Sequence, residues 1–547
     1  MSFCLDDGSE LLFGPASMDE PVTAILSGVH LSRESATKPQ LKTTDQAATL
    51  PPVITEMPKR GLDKRLLAVP FLLVIIVVAG FFGYRYFVSS AKQIESIAVM
   101  PFVNDSGNAE VEYLSDGMTE TLISSLSKLT DLDVKPRSAV FRYKGKETDA
   151  QAIGKELNVQ AVLSGRLTQR GDDISLYAEL IDVVRNKAIW SDTYNRKKSE
   201  LVALQSQITQ DVSGKLKTKI SGADEAKITK TYTTNPEAYQ LFLQGNYYQG
   251  KVNKESYSKA IEFYDKAIEK DPNYALAYVG KGYAYNTAAN WYLPTGDSMP
   301  KAKAAALKAI EIDDSLAEAY GLLGIYEVWY GMDWDACERN FKRSIDLGAT
   351  TTHDGYGYYL LIMGRTEQAI AELTLARDLN PLGLNANSNA AFGYIVAGMT
   401  GEAMAQARRT IELDPNYWAG YETLGVAYAV QGEYPKAISA LEKARSLDAN
   451  SDILGYLGWV YGLSGDVAKA HKLINEMTRA SPDSYIAEGS VACIYAGLGD
   501  NDKAIEWLER GYASRGSLAM INRDPPFEKL HSDPRFKDLL KRLKVPE

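Results

Sequence analysis

"AIEFYDKAIEKDP", Ala260–Pro272, puts small or apolar residues at Ala260, Ile261, Tyr264, Ala267 and Ile268. That three- and four-residue spacing is one face of a helix, and Pro272 stops it. Similar stretches recur as "AKAAALKAIEIDD" from Ala302, "CERNFKRSIDLGA" from Cys337, "AIAELTLARDLNP" from Ala369, "AMAQARRTIELDP" from Ala403, "AISALEKARSLDA" from Ala437, "AHKLINEMTRASP" from Ala470 and "AIEWLERGYASRG" from Ala504. Their starts cluster at about 34 residues apart, a length that holds two helices and two turns. Each hairpin can bury its apolar face only against the next, so the second half of the chain reads as a helical solenoid.

The period, the small residue where two helices touch, and the closing prolines Pro272, Pro381, Pro415 and Pro482 resemble the tetratricopeptide (TPR) repeat. Eight repeats over 236–516 are expected to form a right-handed superhelix, and residues 517–547 a C-terminal capping helix. Gly245, Gly282, Gly324, Gly357, Gly425 and Gly458 mark where first helices meet their neighbours closely. The extra residues around "NTAANWYLPTGDSMP" are expected to form a longer loop between the helices of repeat two. The resemblance implies that the residue after the glycine position faces a concave groove. That row reads Tyr283, Ile325, Tyr358, Phe392, Val426, Trp459 and Cys493, with Asn385, Ser388 and Glu422 on an adjacent row. Rigid aromatics there suit anchoring of a protein or peptide partner.

Between residues 94 and 220 the pattern changes to alternating strand and helix, which predicts a small α/β domain. "SIAVMPF" suits a buried strand, and Leu114, Met118, Leu122, Leu126 and Leu129 form a helix face. "LDVKP" and "VQAVLSGRL" read as further strands, "DAQAIGKELN" as a helix, "DISLYAELIDV" and "KAIWSDTYNR" as a hairpin, and "LVALQSQITQDVSGKL" as a closing helix. The loop "VNDSGN" has one glycine and no lysine, so it is expected to turn the chain and not to cradle a phosphate. These segments resemble the TolB-amino-terminal-like, FlgO-like domain of bacterial membrane proteins. There it lies between a transmembrane helix and TPR repeats, often behind a cytoplasmic serine/threonine kinase or winged-helix domain. The resemblance implies a non-catalytic role.

"LLAVPFLLVIIVVAGFFGY", Leu66–Tyr84, carries no charge and nearly matches a hydrocarbon core of roughly 30 Å. A transmembrane helix is expected over 66–88. Lys59, Arg60, Lys64 and Arg65 precede it, which places the N-terminus in the cytoplasm and the later domains outside a bacterial inner membrane. Residues 1–65 lack a hydrophobic period and read as a largely disordered cytoplasmic segment. They hold no H-R-D, D-F-G or kinase-type glycine loop, so the signalling output common in the resembled architectures is not written there.

The fold class expected is thus mainly α: one transmembrane helix, a small α/β domain, and an α-α superhelical TPR solenoid. A net charge of −10 argues against nucleic acid as a partner, since phosphate binding needs a basic face. Three cysteines without C-x-x-C spacing and four scattered histidines give no metal site; Cys337 and Cys493 read as core thiols. No cofactor, catalytic residue or small-molecule substrate is expected. The function expected is a membrane-anchored scaffold or adaptor; the alternative is the sensory region of a kinase or transcriptional regulator whose output module is missing or on another chain. "GNYYQGK", Gly245–Lys251, has the spacing of a nucleotide-binding loop but is followed by Val252 in place of Ser or Thr. Filter binding with labelled ATP is therefore expected to give no saturable signal, and saturable binding lost in Lys251→Ala would overturn the solenoid reading of that stretch.

Overall fold

The computed structural model describes residues 94–546 except 109–110, 130, 147–148, 217–229, 252–253, 292, 294, 480–486 and 517. The expected cytoplasmic segment 1–65 and span 66–88 lie outside the described residues. Among the described residues no helix is long and apolar enough to cross a membrane.

The first region is a mixed sheet of β1 (Ser96–Val99), β2 (Val103–Asn104), β3 (Asp133–Val134), β4 (Ala161–Arg170), β5 (Asp173–Asp182) and β6 (Lys187–Lys197). Its order is β3-β1-β4-β5-β6, with β2 beside the far end of β4. The pairings of β1 with β3 and β4 are parallel, whereas β4, β5 and β6 run antiparallel as a meander. Ile97, Ala98 and Val99 are all fully buried, which is why β1 is apolar without alternation. Helices α1 (Glu112–Leu126), α2 (Arg137–Val140), α3 (Ala150–Glu156) and α4 (Leu201–Lys215) complete the region. The "VNDSGN" loop is tied to itself: Asn104 Nδ2 donates to the Asn108 carbonyl at 2.9 Å and Glu112 at 3.0 Å, and Asn104 Oδ1 accepts from Ser106 N–H at 3.0 Å. Its other polar groups hold it to β4, where Ser106 Oγ accepts from Gln169 N–H at 2.8 Å and Asp105 N–H donates to the Leu167 carbonyl at 2.8 Å.

Eight helix hairpins follow: Pro236–Gln249 with Lys254–Lys270, Ala275–Trp291 with Thr295–Ile312, Ala317–Tyr326 with Trp334–Asp346, His353–Ile362 with Thr366–Leu379, Leu384–Val396 with Thr400–Leu413, Trp418–Val430 with Tyr434–Leu447, Ser451–Leu463 with Val467–Thr478, and Glu488–Leu498 with Asn501–Ser514. The eight aligned positions Ala260, Ala302, Cys337, Ala369, Ala403, Ala437, Ala470 and Ala504 are each 0% exposed, so the repeat register is that of the packing. A Cβ on Gly425 would sit 2.6 Å from Leu441, the close helix approach expected there. Repeat two differs from expectation. Its additional residues lengthen both helices, to Trp291 and from Thr295, in place of a long loop. Ala288 and Ala289 are buried, and helical residues with a packing face extend a helix more favourably than a loop.

In repeats three to eight the turn between the two helices of the hairpin contains a left-handed residue. Gly364, Gly398, Gly432, Gly465 and Gly499 supply it with φ of 71° to 84°, while repeat three uses Met332 at φ 54°. The C-terminal residues do more than cap the last repeat. A 3-10 segment, Pro525–Ser532, and the helix Pro534–Leu543 bury Phe527, Leu530, Phe536, Leu539 and Leu540 and return to earlier repeats. Trp334 Nε1 donates to the Leu543 carbonyl at 3.0 Å, and Asn522 Nδ2 to the Ile362 carbonyl at 2.9 Å. The expected polar cap is in fact amphipathic, because its apolar face closes repeats three and four against repeat eight.

Nothing lies within 4 Å of a Cβ on Gly432, whose φ is +77°. Gly432→Ala is thus expected to cost about 1 kcal/mol from backbone strain alone, read as a lower urea midpoint with unchanged slope.

Candidate functional site

Helix α1 packs its Gly117 onto the first helix of repeat one, where a Cβ would meet Leu243 at 2.8 Å. Thr121 and the Tyr239 hydroxyl lie 3.2 Å apart across the same contact. The α/β region and the first two repeats consequently share one apolar core, including Leu114, Met118 and Leu122 with Tyr239, Leu243 and Tyr264. Beside this contact, α1, α4, residues 230–233 and the concave side of repeats one and two enclose a cavity of about 390 Å³. That volume falls in the range of ligand sites.

One wall of the cavity is aromatic and aliphatic: Tyr239, Phe242, Tyr264, Tyr274, Leu276, Val279 and Tyr283. The Tyr264 hydroxyl lies 2.7 Å from Asn246 and Gln249, and Tyr283 donates to the Glu318 carbonyl at 3.3 Å; Leu276 and Tyr283 are the half-buried members of this wall. The facing wall carries Thr121, Ser124, Ser125, Gln205, Ser206 and Thr209. Glu120 at its edge is held by Arg137 Nε at 3.2 Å; burial raises its pKa against the pull of that guanidinium. Lys128 donates to the Tyr232 hydroxyl at 3.0 Å and lies 4.6 Å from that ring's centre; burial lowers its pKa, opposed by Glu318 and Asp313.

The residues of the expected groove row are distributed along the concave side. Tyr283 lines the cavity. Tyr358 and Phe392 stack at 6.1 Å, Tyr358 donates to Asn389 at 3.2 Å, and Ile325 is half-buried. Val426 is 1% exposed and Trp459 6%, so both are packed into the core of the later repeats and present almost no surface. Asn385 is exposed and accepts from Tyr417, while Ser388 is buried with its hydroxyl unpartnered among the described residues. Glu422 also has one unpartnered oxygen. Burial, then Asp452, Asp524 and Asp448, push its carboxyl well above the usual range. Asp524 comes from the returning C-terminal segment, accepts from the Tyr456 hydroxyl at 3.0 Å, and is pushed up to about 7 by burial and by Asp452.

Cys337 and Cys493 are buried thiols. Gly245 sits within a helix and Lys251 beyond its end, with the ammonium 4.3 Å from the centre of the Tyr247 ring. Among the described residues no group of three or more His, Cys, Asp or Glu is placed to hold a metal ion.

Sequence comparison matches residues 394–452 and 490–515 to tetratricopeptide families. The chain carries TPR repeats. Residues 92–211 match the second domain of HilA/YgeH-like transcriptional regulators. A putative adenylate cyclase 3 of Rhizobium meliloti is 30% identical over 43% of this chain and 40% of its own length. The TPR repeat-containing protein YpiA of Bacillus subtilis is 24% identical over 46% of this chain and 58% of its own. The chain thus spans less than two thirds of either curated relative. Among solved structures, PilF of Pseudomonas aeruginosa is similar at 19% identity over 39% of this chain and 94% of its own, with a TM-score of 0.30. YrrB, described as a TPR protein with an unusual peptide-binding site, is 25% identical over 34% and 92%, with a TM-score of 0.24.

Sequence reasoning missed Tyr239, Phe242, Leu276 and Val279 as surface-lining residues. They stand six and three residues before Gly245 and Gly282, as Glu422 stands three before Gly425, so the TPR register held that signal. It missed Glu120, and Lys128 just beyond the end of α1, for another reason: nothing local there tells which polar residues will face a segment 100 positions away.

Asp524 keeps its proton to about pH 7 when folded, whereas the unfolded chain releases it near 3.8. The folded state therefore binds more protons between those values, and this group's contribution weakens as pH rises from 4 to 7 and is constant above. Asp524→Asn, which retains an acceptor for Tyr456, is expected to melt above wild type at pH 8 by a margin that shrinks towards pH 5. A margin equal at both pH values in calorimetry would show that Asp524 is not raised.

Proposed function

We propose that the chain is a membrane-anchored TPR scaffold whose concave side binds a protein or peptide segment outside the cytoplasmic membrane. The observation that carries the binding half is the stacked, half-buried pair Tyr358 and Phe392, with exposed Asn385 on the adjacent row two turns before Phe392 on the same helix. Anchoring rests on the uncharged stretch Leu66–Tyr84 and the basic residues before it. The α/β region, read as TolB-amino-terminal-like, is non-catalytic in this proposal. It holds the first repeats through Gly117 and Leu243. Neither nucleic acid nor enzymatic turnover forms part of this reading, in keeping with a net charge of −10.

A second reading makes the same exported unit the sensory region of a kinase or transcriptional regulator whose output domain is missing from this sequence or on another chain. The comparisons favour it by name: the matched α/β family belongs to transcriptional regulators, and one relative is a putative adenylate cyclase.

Three measurements test the proposal. Alkaline phosphatase fused after residue 220 is expected to be active, and an inactive fusion with an active cytoplasmic reporter at the same point would reverse the topology. A photo-crosslinking residue at Asn385 is expected to capture a polypeptide that the same residue at exposed Leu375, on a second helix, does not. Phe392→Ala should then weaken that partner by about 2 kcal/mol with unchanged melting. Unchanged affinity would move the interaction off the groove.

A further inference from the structure

The cavity beneath α1 differs from the rest of the concave side in one respect. Elsewhere the groove offers carboxylates, Asp354, Glu422, Asp452 and Asp524, whereas the cavity lining also holds an ammonium, Lys128, on which Glu318 and Asp313 act through space without closing an ion pair. Among the described residues Lys128 Nζ has no carboxylate within ion-pair distance; its hydrogen bond goes to the neutral Tyr232 hydroxyl. The two nearby cations are satisfied, Lys230 by Asp313 at 2.7 Å and Arg137 by Glu120 at 3.2 Å. A half-buried ammonium with spare N–H donors is costly unless an anion meets it. Because Tyr232 accepts from Lys128, its own O–H remains available to donate in the same direction. Ser124, one turn before Lys128 on α1, adds a hydroxyl on the same wall.

We propose that this cavity is a small-molecule site for an organic monocarboxylate with an apolar or aromatic body, the carboxylate at Lys128 and Tyr232 and the body against Phe242, Leu276 and Tyr283. Lys128, the lining cation without an ion-pair partner among the described residues, sets the anionic end of the ligand, and Glu318 limits that end to one charge. A dianionic phosphate would leave one charge unmatched, and Glu318 in the lining opposes it. The apolar wall sets the rest, through the half-buried Leu276 and Tyr283 at its surface with Phe242 behind them. The site is independent of any peptide on the later repeats, so either can fail alone. Its placement between α/β region and solenoid means that an occupant touches both.

The probes are 3-phenylpropionate, its amide, and phenyl phosphate, measured by ligand-observed NMR on the full chain in lipid nanodiscs. The acid should saturate with a Kd of about 1 mM, as befits so small a fragment. The amide and the phosphate should bind about tenfold more weakly, the loss of one charge-assisted contact. Lys128→Met should bring the acid down to the amide's level and leave the amide unchanged, and Tyr232→Phe should weaken the acid alone. Equal binding of acid and amide, tighter binding of the phosphate, or no saturation by the acid would each overturn the proposal. The comparison of probes on the unaltered protein decides the matter even where a variant melts early.

Discussion

Gly117 lies against Leu243, and the distance between α1 and the first helix of repeat one follows from the absence of a side chain there. With a Cβ at that point the helices would stand apart, and the shared core of Leu114, Met118, Tyr239 and Tyr264 would open. Everything else at this end of the molecule depends on the contact. It seats the sheet region on the concave side of the solenoid, so that a surface open to solvent in a bare repeat array becomes a cavity. It also brings hydroxyl-bearing faces of α1 and α4 opposite the tyrosines of the repeats. The polar wall and the aromatic wall come from parts of the chain that are individually unremarkable surfaces.

At the other end a second closure acts with opposite chemistry. The residues after the last repeat fold back on repeats three and four through Trp334, Asn522 and the apolar face of Pro534–Leu543. The apolar area gained stabilises the end of the solenoid. The same return delivers Asp524 beside Asp452 and Glu422, where burial and mutual repulsion hold protons on carboxyl groups that water would ionise. Hydrophobic closure thus outweighs an electrostatic cost, and the groove of the later repeats is left lined with carboxyl groups whose protonation depends on pH. Val426 and Trp459 are covered as part of the same packing, which confines the accessible aromatics of the concave row to Tyr283, Tyr358 and Phe392.

A TPR array bounded in this way has two kinds of concave surface. The middle repeats offer an extended acidic channel with stacked rings, suited to a polypeptide whose side chains are read one repeat at a time. The first repeats offer an enclosed space with a basic point, suited to something compact. A scaffold function and a sensory function need not compete for the same residues.

Local chemistry determined a great deal. The period of about 34 residues named the small contact position in every hairpin, and all eight proved fully buried, because helix pairing at that spacing leaves no other place for a residue without bulk. The strand segments and the final hairpin of the α/β region, though not the strand order, were likewise written in patterns a few residues long. The left-handed glycines Gly364 to Gly499 carried their own regular spacing, legible in the sequence although repeat three replaces the glycine with Met332. What only the tertiary structure decided is which residues meet across long separations: Gly117 with Leu243, Lys128 with Tyr232, Trp334 with Leu543, Tyr456 with Asp524. Periodicity tells each helix which face to bury but not against what, and a polar residue on the remaining face acquires a partner, a cavity or a shifted pKa only when a distant segment arrives opposite it.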